Sequence, residues 1–413
     1  MRIYLFALLV ALIACSDGVT DKSIGRENPQ AYRYDGLDMS EWELAWADEF
    51  DYDDAQLDEN WLSKQGDFES DWVKGRRWRK NAVVVDGVLE LRNERNEDDP
   101  HLWSSASVWT KESFGYGYYE ARYKYAGAYG TNNSFWFWPE NGTPEGQKEC
   151  EIDVNEGHYP NIMNTNIHNW TDTWVTPSGR KTHHDDQLHH TLFGEPEHTI
   201  ALEAPVLAEK VRLRSSNPAS IHIREFRVLS AGENVARAED ATLTTVGVFD
   251  RLPSKEEYAV DDNPDTRWVS AKHGPKWLQL EWAEPKSIDA IELVNGWPQA
   301  NGAHRNLIAD YTLEYFDGET WSEITTYNAS EIADFSEDYH TFGLEWNEDY
   351  FKWYLDGELF HTLRNDVCFT DVSMLLSMAI LNADIAGPVT DAIDGTSMKV
   401  DYVRYYTRRG EDN

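Results

Sequence analysis

Four carboxylates fall within eight residues in the stretch ECEIDVNEGH, residues 149–158: Glu149, Glu151, Asp153 and Glu156. Carboxyl groups crowded together resist ionising together, so their pKa values spread apart. A spread of that kind suits acid–base and nucleophilic chemistry, in which one group donates a proton while another attacks. Two carboxyls held about 5–5.5 Å apart around an acetal carbon can act as nucleophile and acid/base with retention of configuration. A third carboxylate between them can hydrogen-bond the nucleophile and keep the two pKa values apart.

Such a set needs an element that points all three the same way. Ile152 and Val154 alternate with the acids, which reads as a strand with one apolar and one acidic face. Regular alternation groups Glu151 with Asp153 and turns Glu156 away. One extra residue, a bulge between Asp153 and Glu156, brings Glu156 back. The outer Cα atoms then lie about 13 Å apart at ~3.3 Å per residue, a gap that glutamate side chains can close. Cys150, between Glu149 and Glu151, is expected to face the core. It and Cys368 read as buried thiols rather than a bridge, because two cysteines in so long a chain do not make a disulfide framework. No cysteine spacing suits zinc.

The rest of the chain repeats the strand pattern in AVVVDGVLELR, YGYYEARYKY, NSFWFWP, NTNIHNW, HTFGLEW, FKWYLDGELFH and MKVDYVRYY. Turn pairs such as Asp86-Gly87, Asn141-Gly142 and Asp356-Gly357 separate the runs. This grammar predicts an all-β antiparallel sandwich. In SFWFWP, Trp136 and Trp138 share one face, and Phe135 and Phe137 the other; Trp138 reads equally as core or cleft. His168 lies on the strand after the acids and reads equally as structural or cleft-facing.

Glu151-Ile152-Asp153-Val154-Asn155-Glu156 on a bulged strand resembles the E-I-D-x-x-E signature of glycoside hydrolase family 16. WADEFD from Trp46, NAVVVDGVLELR from Asn81, YGYYEARYK from Tyr116 and SFWFWP from Ser134 resemble the same family. So do YHTFGLEWNEDYFKWYLDGEL from Tyr339 and MKVDYVRYY from Met398. The resemblance covers residues 40 to about 200 and 337 to 408. It implies a concanavalin-like β-jelly-roll sandwich with a concave cleft and a retaining, endo-acting β-glycosidase that needs no cofactor for catalysis. It implies Glu151 as nucleophile, Glu156 as acid/base and Asp153 as the assisting carboxylate. Trp136 would stack on a sugar near the cleavage point.

Between jelly-roll parts at 36–203 and 336–413 lies a different pattern, at 204–335. AVDDNPDTRWVSA, WLQLEWAEPKSIDAIELVNGW and YTLEYFDGETWSEI resemble the discoidin-like β-sandwich of carbohydrate-binding module family 32. The strand pair VRLR…IREFRVL, Val211 to Leu229, comes first here, whereas the family places it last. The implied order is a circular permutant, which would bring the ends of the insertion together. The resemblance also implies a structural Ca²⁺ by the D-x-x-x-x-T turn, held by Asp261, Thr266 and Glu225, since hard oxygen ligands suit that ion. Asp262 departs from the pattern, standing where glycine is common. Trp297 and His304 are loop candidates for sugar contact; the plainer role is a spacer shaping one wall of the cleft.

The formal net charge of −37 opposes binding to nucleic acid or to anionic membranes. Apolar residues make up 41%, enough for more than one core, and 18 Trp and 21 Tyr supply rings that pack in cores or stack on sugars. MRIYLFALLVALIAC opens the chain with Arg2 and an apolar run, Ile3 to Ile13, too short to span a bilayer comfortably. Its end resembles a bacterial lipobox, implying a signal at 1–15, lipidation at Cys15 and a place at the outer membrane or cell surface. That anchor is the only expected membrane contact. Residues 16–35 read as a tether, and a monomer is expected.

KGRRWRK carries Lys74, Arg76, Arg77, Arg79 and Lys80 in an otherwise acidic chain. Arginine forks match sulfate, so Arg76, Arg77 and Arg79 are expected to meet a sulfated red-algal galactan of carrageenan, furcellaran or porphyran/agar type. Two alternatives stand. A laminarin-type β-1,3-glucan would leave the cluster merely neutralising acids such as Glu69 and Asp71. A non-catalytic glycan-binding lipoprotein would have no use for two opposed glutamates.

Overall fold

The computed structural model describes residues 33–410 apart from 35–36, 68–72, 177–178, 180, 187, 192–194, 218–219, 250–252, 264, 272–273, 299–303, 332 and 382–385. The expected signal, Cys15 and all of the tether but residues 33–34 lie outside the described residues, as do Glu69 and Asp71.

The fold is all-β. Seven strands of the sheet that carries the acids are labelled here: β1 (Trp61–Ser63), β2 (Ser107–Thr110), β3 (Thr131–Trp138), β4 (Cys150–Gly157), β5 (Ile162–Val175), β6 (Lys181–Asp185) and β7 (Ser373–Ile380). They pair in the order β6-β5-β4-β3-β7-β2-β1, and Leu188–Thr191 also pairs with β5. A second eight-stranded sheet holds Gly117–Lys124, His340–Trp346, Tyr350–Leu355 and Ser397–Arg408 near its centre. Inward side chains of both sheets, among them Phe135, Phe137, Ile152, Trp346, Trp353 and Leu376, fill one core between them. The period-two pattern thus buries one face of each sheet, the arrangement of a sandwich.

Cys150 and Cys368 form a disulfide, with Cα atoms 5.6 Å apart across 218 residues of sequence, which corrects the reading of both as thiols. Counting cysteines could not reveal it. The pairing arises because the sheet brings the buried start of β4 beside the loop that leads to β7.

The inserted unit has its own six-strand path, with Glu197–Ser215, His222–Ser230 and Lys276–Asn295 at the centre. Its separate core includes Val211, Phe226, Trp268, Leu280, Ile291 and Leu313. Glu197 already pairs with Val294, so the insertion begins before the expected boundary at 204. Its last strand ends at Asn328, and Phe335 belongs to the jelly-roll core. Entry and exit are neighbours. Thr191 pairs with Ile162, while the Phe335 N–H donates to the Pro160 carbonyl at 2.9 Å.

Candidate active site

The bulge sits where the acid spacing requires it. Trp136 pairs with Asp153 and Phe135 with Asn155, so Val154 is the extra residue. Val154 and Asn155 both turn inward. Asn155 donates to the hydroxyls of Tyr123 (2.7 Å) and Tyr125 (2.8 Å), which satisfies its buried amide nitrogen. The Trp353 indole of the facing sheet donates to the Asp153 carbonyl at 3.1 Å, tying the kinked backbone down. Glu151, Asp153 and Glu156 then share the outer face and line one cavity of about 410 Å³.

Each acid has a different neighbourhood. Glu151 accepts a hydrogen bond from the Trp170 indole at 2.8 Å, and Glu156 accepts one from the Asn132 amide at 2.9 Å. Asp153 is buried, and its Oδ2 has no hydrogen-bond partner among the described residues, although His168 Nε2 lies 3.5 Å away. The same His168 nitrogen is 4.0 Å from Glu151. Burial, and then repulsion from Asp153, push the Glu151 carboxyl up to about 8; His168 and Trp170 pull the other way. Burial and Glu156 push Asp153 well above the ordinary range. The side chain of Asp153 is 1% exposed against 19% for Glu151, so Asp153 is the natural holder of a shared proton. With that proton on Asp153, Glu151 faces less repulsion and can ionise, as a nucleophile must.

Trp136 and Trp138 both line the cavity, so Trp138 belongs to the cleft. Trp136 donates to the Ser377 hydroxyl at 3.0 Å, which fixes its ring. Asn132, Ser134, Trp170, Ser377 and Lys64 also line the cavity and were not anticipated. The alternation that grouped Trp136 with Trp138 extends back to Ser134 and Asn132, and Trp170 follows His168 by two, so the period-two rule could have found them.

The basic cluster divides. Arg77 is buried and lines the cavity. Arg76 instead pairs with Asp99 at 3.0 Å and donates to the Gly66 carbonyl at 3.0 Å. Arg79 pairs with Asp58 at 2.8 Å and Asp54 at 3.3 Å. Arg76 and Arg79, expected to meet substrate, do not line this cavity among the described residues. The strand Arg76–Trp78 gives way to a 3₁₀ turn at Arg79–Asn81, which breaks the alternation that would have kept Arg79 beside Arg77.

In the inserted unit, both carboxylate oxygens of Glu225 are buried without a hydrogen-bond partner among the described residues. Burial raises Glu225 to about 7; Arg227 opposes the rise, and Asp262 and Asp261 add to it. Thr266 donates to Asp261 at 2.9 Å, and Asp262 occupies the left-handed region (φ 61°) in place of the common glycine. A buried carboxylate with other acids close by fits a hard cation, so Glu225 and Asp261 would hold Ca²⁺ and the turn at Thr266 would shape its loop. No residue of the insertion lines the catalytic cavity among the described residues, contrary to its expected role as a cleft wall.

Comparison with known proteins accords with this geometry. Residues 60–191 and 306–404 match the family model for glycosyl hydrolases family 16. Residues 258–347 match a NedA-like, galactose-binding domain. The two matches overlap at 306–347, where the pairing decides: Asp310–Phe316 and Trp321–Asn328 lie in the inserted sheet, and His340–Trp346 in the jelly roll. Glu197–Ser215 and His222–Ser230 precede the second match yet sit at the centre of its sheet, as a permuted order would place them.

Among curated relatives, Glucan endo-1,3-beta-glucosidase A1 of Niallia circulans is 29% identical over 139 residues, 30% of this chain and 20% of that protein. Endo-1,3-1,4-beta-glycanase ExoK of Rhizobium meliloti (strain 1021) is 30% identical over 115 residues, 26% of this chain and 40% of that protein. The matched segments thus span a fifth to two fifths of the length of these relatives. Among solved structures, an endo-beta-1,3-glucanase from Pyrococcus furiosus aligns over 89% of this chain and 95% of its own, at 17% identity and a TM-score of 0.45. With more than half of its length matched by the family model, the chain belongs to glycosyl hydrolases family 16.

Proposed function

We propose that the protein is a retaining endo-hydrolase of a β-linked polysaccharide. Glu151 acts as nucleophile, Glu156 as acid/base, and Asp153 as the proton-holding carboxylate between them. The observation that carries this is the bulge at Val154, which places three carboxylates on one face of an open cleft. A binding protein gains nothing from such repulsion, whereas double displacement requires it. Trp136, Trp138 and Trp170 give flat apolar surfaces for sugar rings along the same cleft.

For the glycan, a sulfated red-algal galactan is favoured by the two cations in the cleft wall, Arg77 and Lys64, in a chain of net charge −37. The ion pairs of Arg76 and Arg79 favour the second reading, a laminarin-type β-1,3-glucan, because they remove two of the three expected sulfate partners. The names of the relatives point the same way. At the cell, an exported lipoprotein anchored through Cys15 fits an enzyme that meets polymers too large to import.

Reducing-sugar release from laminarin, lichenan, agarose, porphyran and the carrageenans tests both readings, with the anomer of the first product read by NMR. Turnover with retention on a sulfated galactan supports the first, and on laminarin the second. No turnover on any polymer, or an inverted product, overturns the mechanism.

A further inference from the structure

We propose that His168, His183 and Asp185 form a binding site for a borderline divalent transition metal, represented by Zn²⁺, at the edge of the cleft. Asp153 serves as its outer hydrogen-bond acceptor. The site goes beyond the hydrolytic reading and does not depend on it.

Strand geometry builds the donor set. Asp185 on β6 lies directly opposite His168 on β5, so the two side chains share a face of the sheet. His183 precedes Asp185 by two residues and therefore projects to the same side. His168 Nδ1 and His183 Nε2 are 2.8 Å apart. One donor atom from each of the three residues lies within 4.8 Å of the others. Zinc binds imidazole nitrogen and carboxylate oxygen at about 2.0–2.2 Å, so small side-chain rotations close the shell and leave a fourth position for water. Two imidazoles with one carboxylate suit Zn²⁺, Ni²⁺ or Cu²⁺, whereas Ca²⁺ and Mg²⁺ prefer oxygen. The His183 ring packs against Trp170, centroids 3.7 Å apart, which limits its freedom before any ion arrives.

The proton positions are defined. The Asp186 N–H donates to Asn166 Oδ1 at 3.1 Å, so the Asn166 amide nitrogen faces His168 Nε2 at 2.8 Å. His168 therefore carries its proton on Nδ1 and donates it to His183 Nε2. A metal ion takes the place of that proton, which moves to Nε2 of the same ring, so no proton is gained or lost overall. The new Nε2–H faces Asp153 Oδ2 at 3.5 Å, the buried oxygen that otherwise has no hydrogen-bond partner among the described residues. The Asn166 amide must turn to present its oxygen. A ligating histidine whose second nitrogen donates to a carboxylate is the usual outer-shell arrangement of such sites.

Calorimetric titration of the full chain with ZnCl₂, with CaCl₂ as comparator, tests the proposal. One Zn²⁺ per chain should bind at this site. His183→Ala should weaken it by more than about a hundredfold, and Asp153→Asn, through the outer shell, by roughly ten- to a hundredfold. Asp185→Asn should weaken binding while leaving basal hydrolysis unchanged, which guards against a folding artefact at His183. Glu151→Gln should bind Zn²⁺ as the parent does. Failure of Zn²⁺ to bind the parent would overturn the site. So would full affinity in both His183→Ala and Asp185→Asn, or loss of binding in Glu151→Gln with retention in Asp185→Asn, which would move the ion onto the catalytic carboxylates.

Discussion

On the outer side of the second sheet, Glu120 and Glu345 are nearly as buried as Asp153 is in the cleft. Glu120 accepts hydrogen bonds from Tyr406 (2.9 Å) and Tyr118 (3.3 Å), with Arg404 at 3.7 Å. Glu345 accepts from Tyr350, Tyr354 and Lys352. Burial raises Glu120 as it raises Asp153, but Arg404 and the two phenols pull Glu120 back, while Glu156 pushes Asp153 further. Both sheets thus bury acids on an outward face. One surrounds them with donors and a guanidinium; the other crowds them against one another. Acids of the first kind hold structure, and acids of the second kind store a protonation equilibrium for chemistry.

The largest separation between the two faces should come from Glu151→Gln. The amide keeps the shape and removes the nucleophile, so kcat/KM should fall by a factor on the order of 10⁴ or more, with the melting temperature unchanged or raised. Wild-type-like turnover would end the assignment. Glu156→Ala should cost roughly 10²–10⁴ on natural polymers but spare substrates with an activated leaving group, which need no enzymic proton.

Next in size is the disulfide that anchors the acidic strand. Cys368→Ser releases Cys150, directly before Glu151, and should lower stability by about 2–4 kcal/mol, read by denaturant titration. Glu120→Ala should cost about 2–3 kcal/mol, because it removes a buried acceptor of the Tyr406 and Tyr118 hydroxyls and one of the two carboxylates beside Arg404. Its activity per folded molecule should remain that of the parent. If Glu120→Ala lowered turnover while sparing stability, the division between the two faces would fail.

The acid triad was legible because its side-chain period changes at one residue, and an acid at 156 is useful only with a bulge at Val154. The two cores were legible from the switch in strand pattern, although the junction was not: Glu197–Ser215 alternates as the preceding strands do, and only its partner, Lys276–Asn295, shows which sheet owns it. The arginines misled for a related reason. Arg76, Arg77 and Arg79 form one cluster in sequence, yet a strand and then a 3₁₀ turn send them to three different places. The disulfide and the His168–His183 contact join residues whose proximity only the sheet pairing creates.

A smaller effect should appear with Asp153→Asn, and it should depend on pH. The folded-state pKa of Asp153 lies above its ordinary value. Below the unfolded pKa the carboxyl is protonated in both states and costs nothing. Above it, the unfolded chain releases a proton that the folded chain retains, so the native state loses relative stability as pH rises towards the folded pKa. Asparagine removes that penalty. The variant's stability relative to the parent should therefore be little changed near pH 4 and should rise as pH increases towards 8, while its activity falls. A gain that did not grow with pH would overturn the raised folded-state pKa of Asp153.

The smallest effect should follow removal of the insertion, and its smallness is the test. Replacing residues 197–328 with a short Gly/Ser turn cuts between two cores that share no residue. The ends to be joined are already neighbours. Thr191 pairs with Ile162, Phe335 is bound to Pro160, and the Glu195 N–H donates to the Tyr327 hydroxyl at 3.2 Å across the neck of the insertion. Among the described residues, one junction at risk is the cavity in which Arg214, Trp277 and Tyr327 face Pro388 and Val389 of the jelly roll, and a second is the contact of Leu188–Thr191 with His304–Arg305. The loop at 387–389 is held from the other side, since the Gly130 N–H donates to the Ala386 carbonyl and Val389 packs with Trp103, Ile380 and Ile393. Loss of the insertion should therefore leave the cleft intact, and kcat/KM on a soluble oligosaccharide should change by no more than about twofold, as for distant independent sites. Binding to polymer can fall without contradiction, because the insertion carries its own surface. An insoluble product, or a soluble one without Glu151-dependent turnover, would show that the insertion and the jelly roll are not independent units.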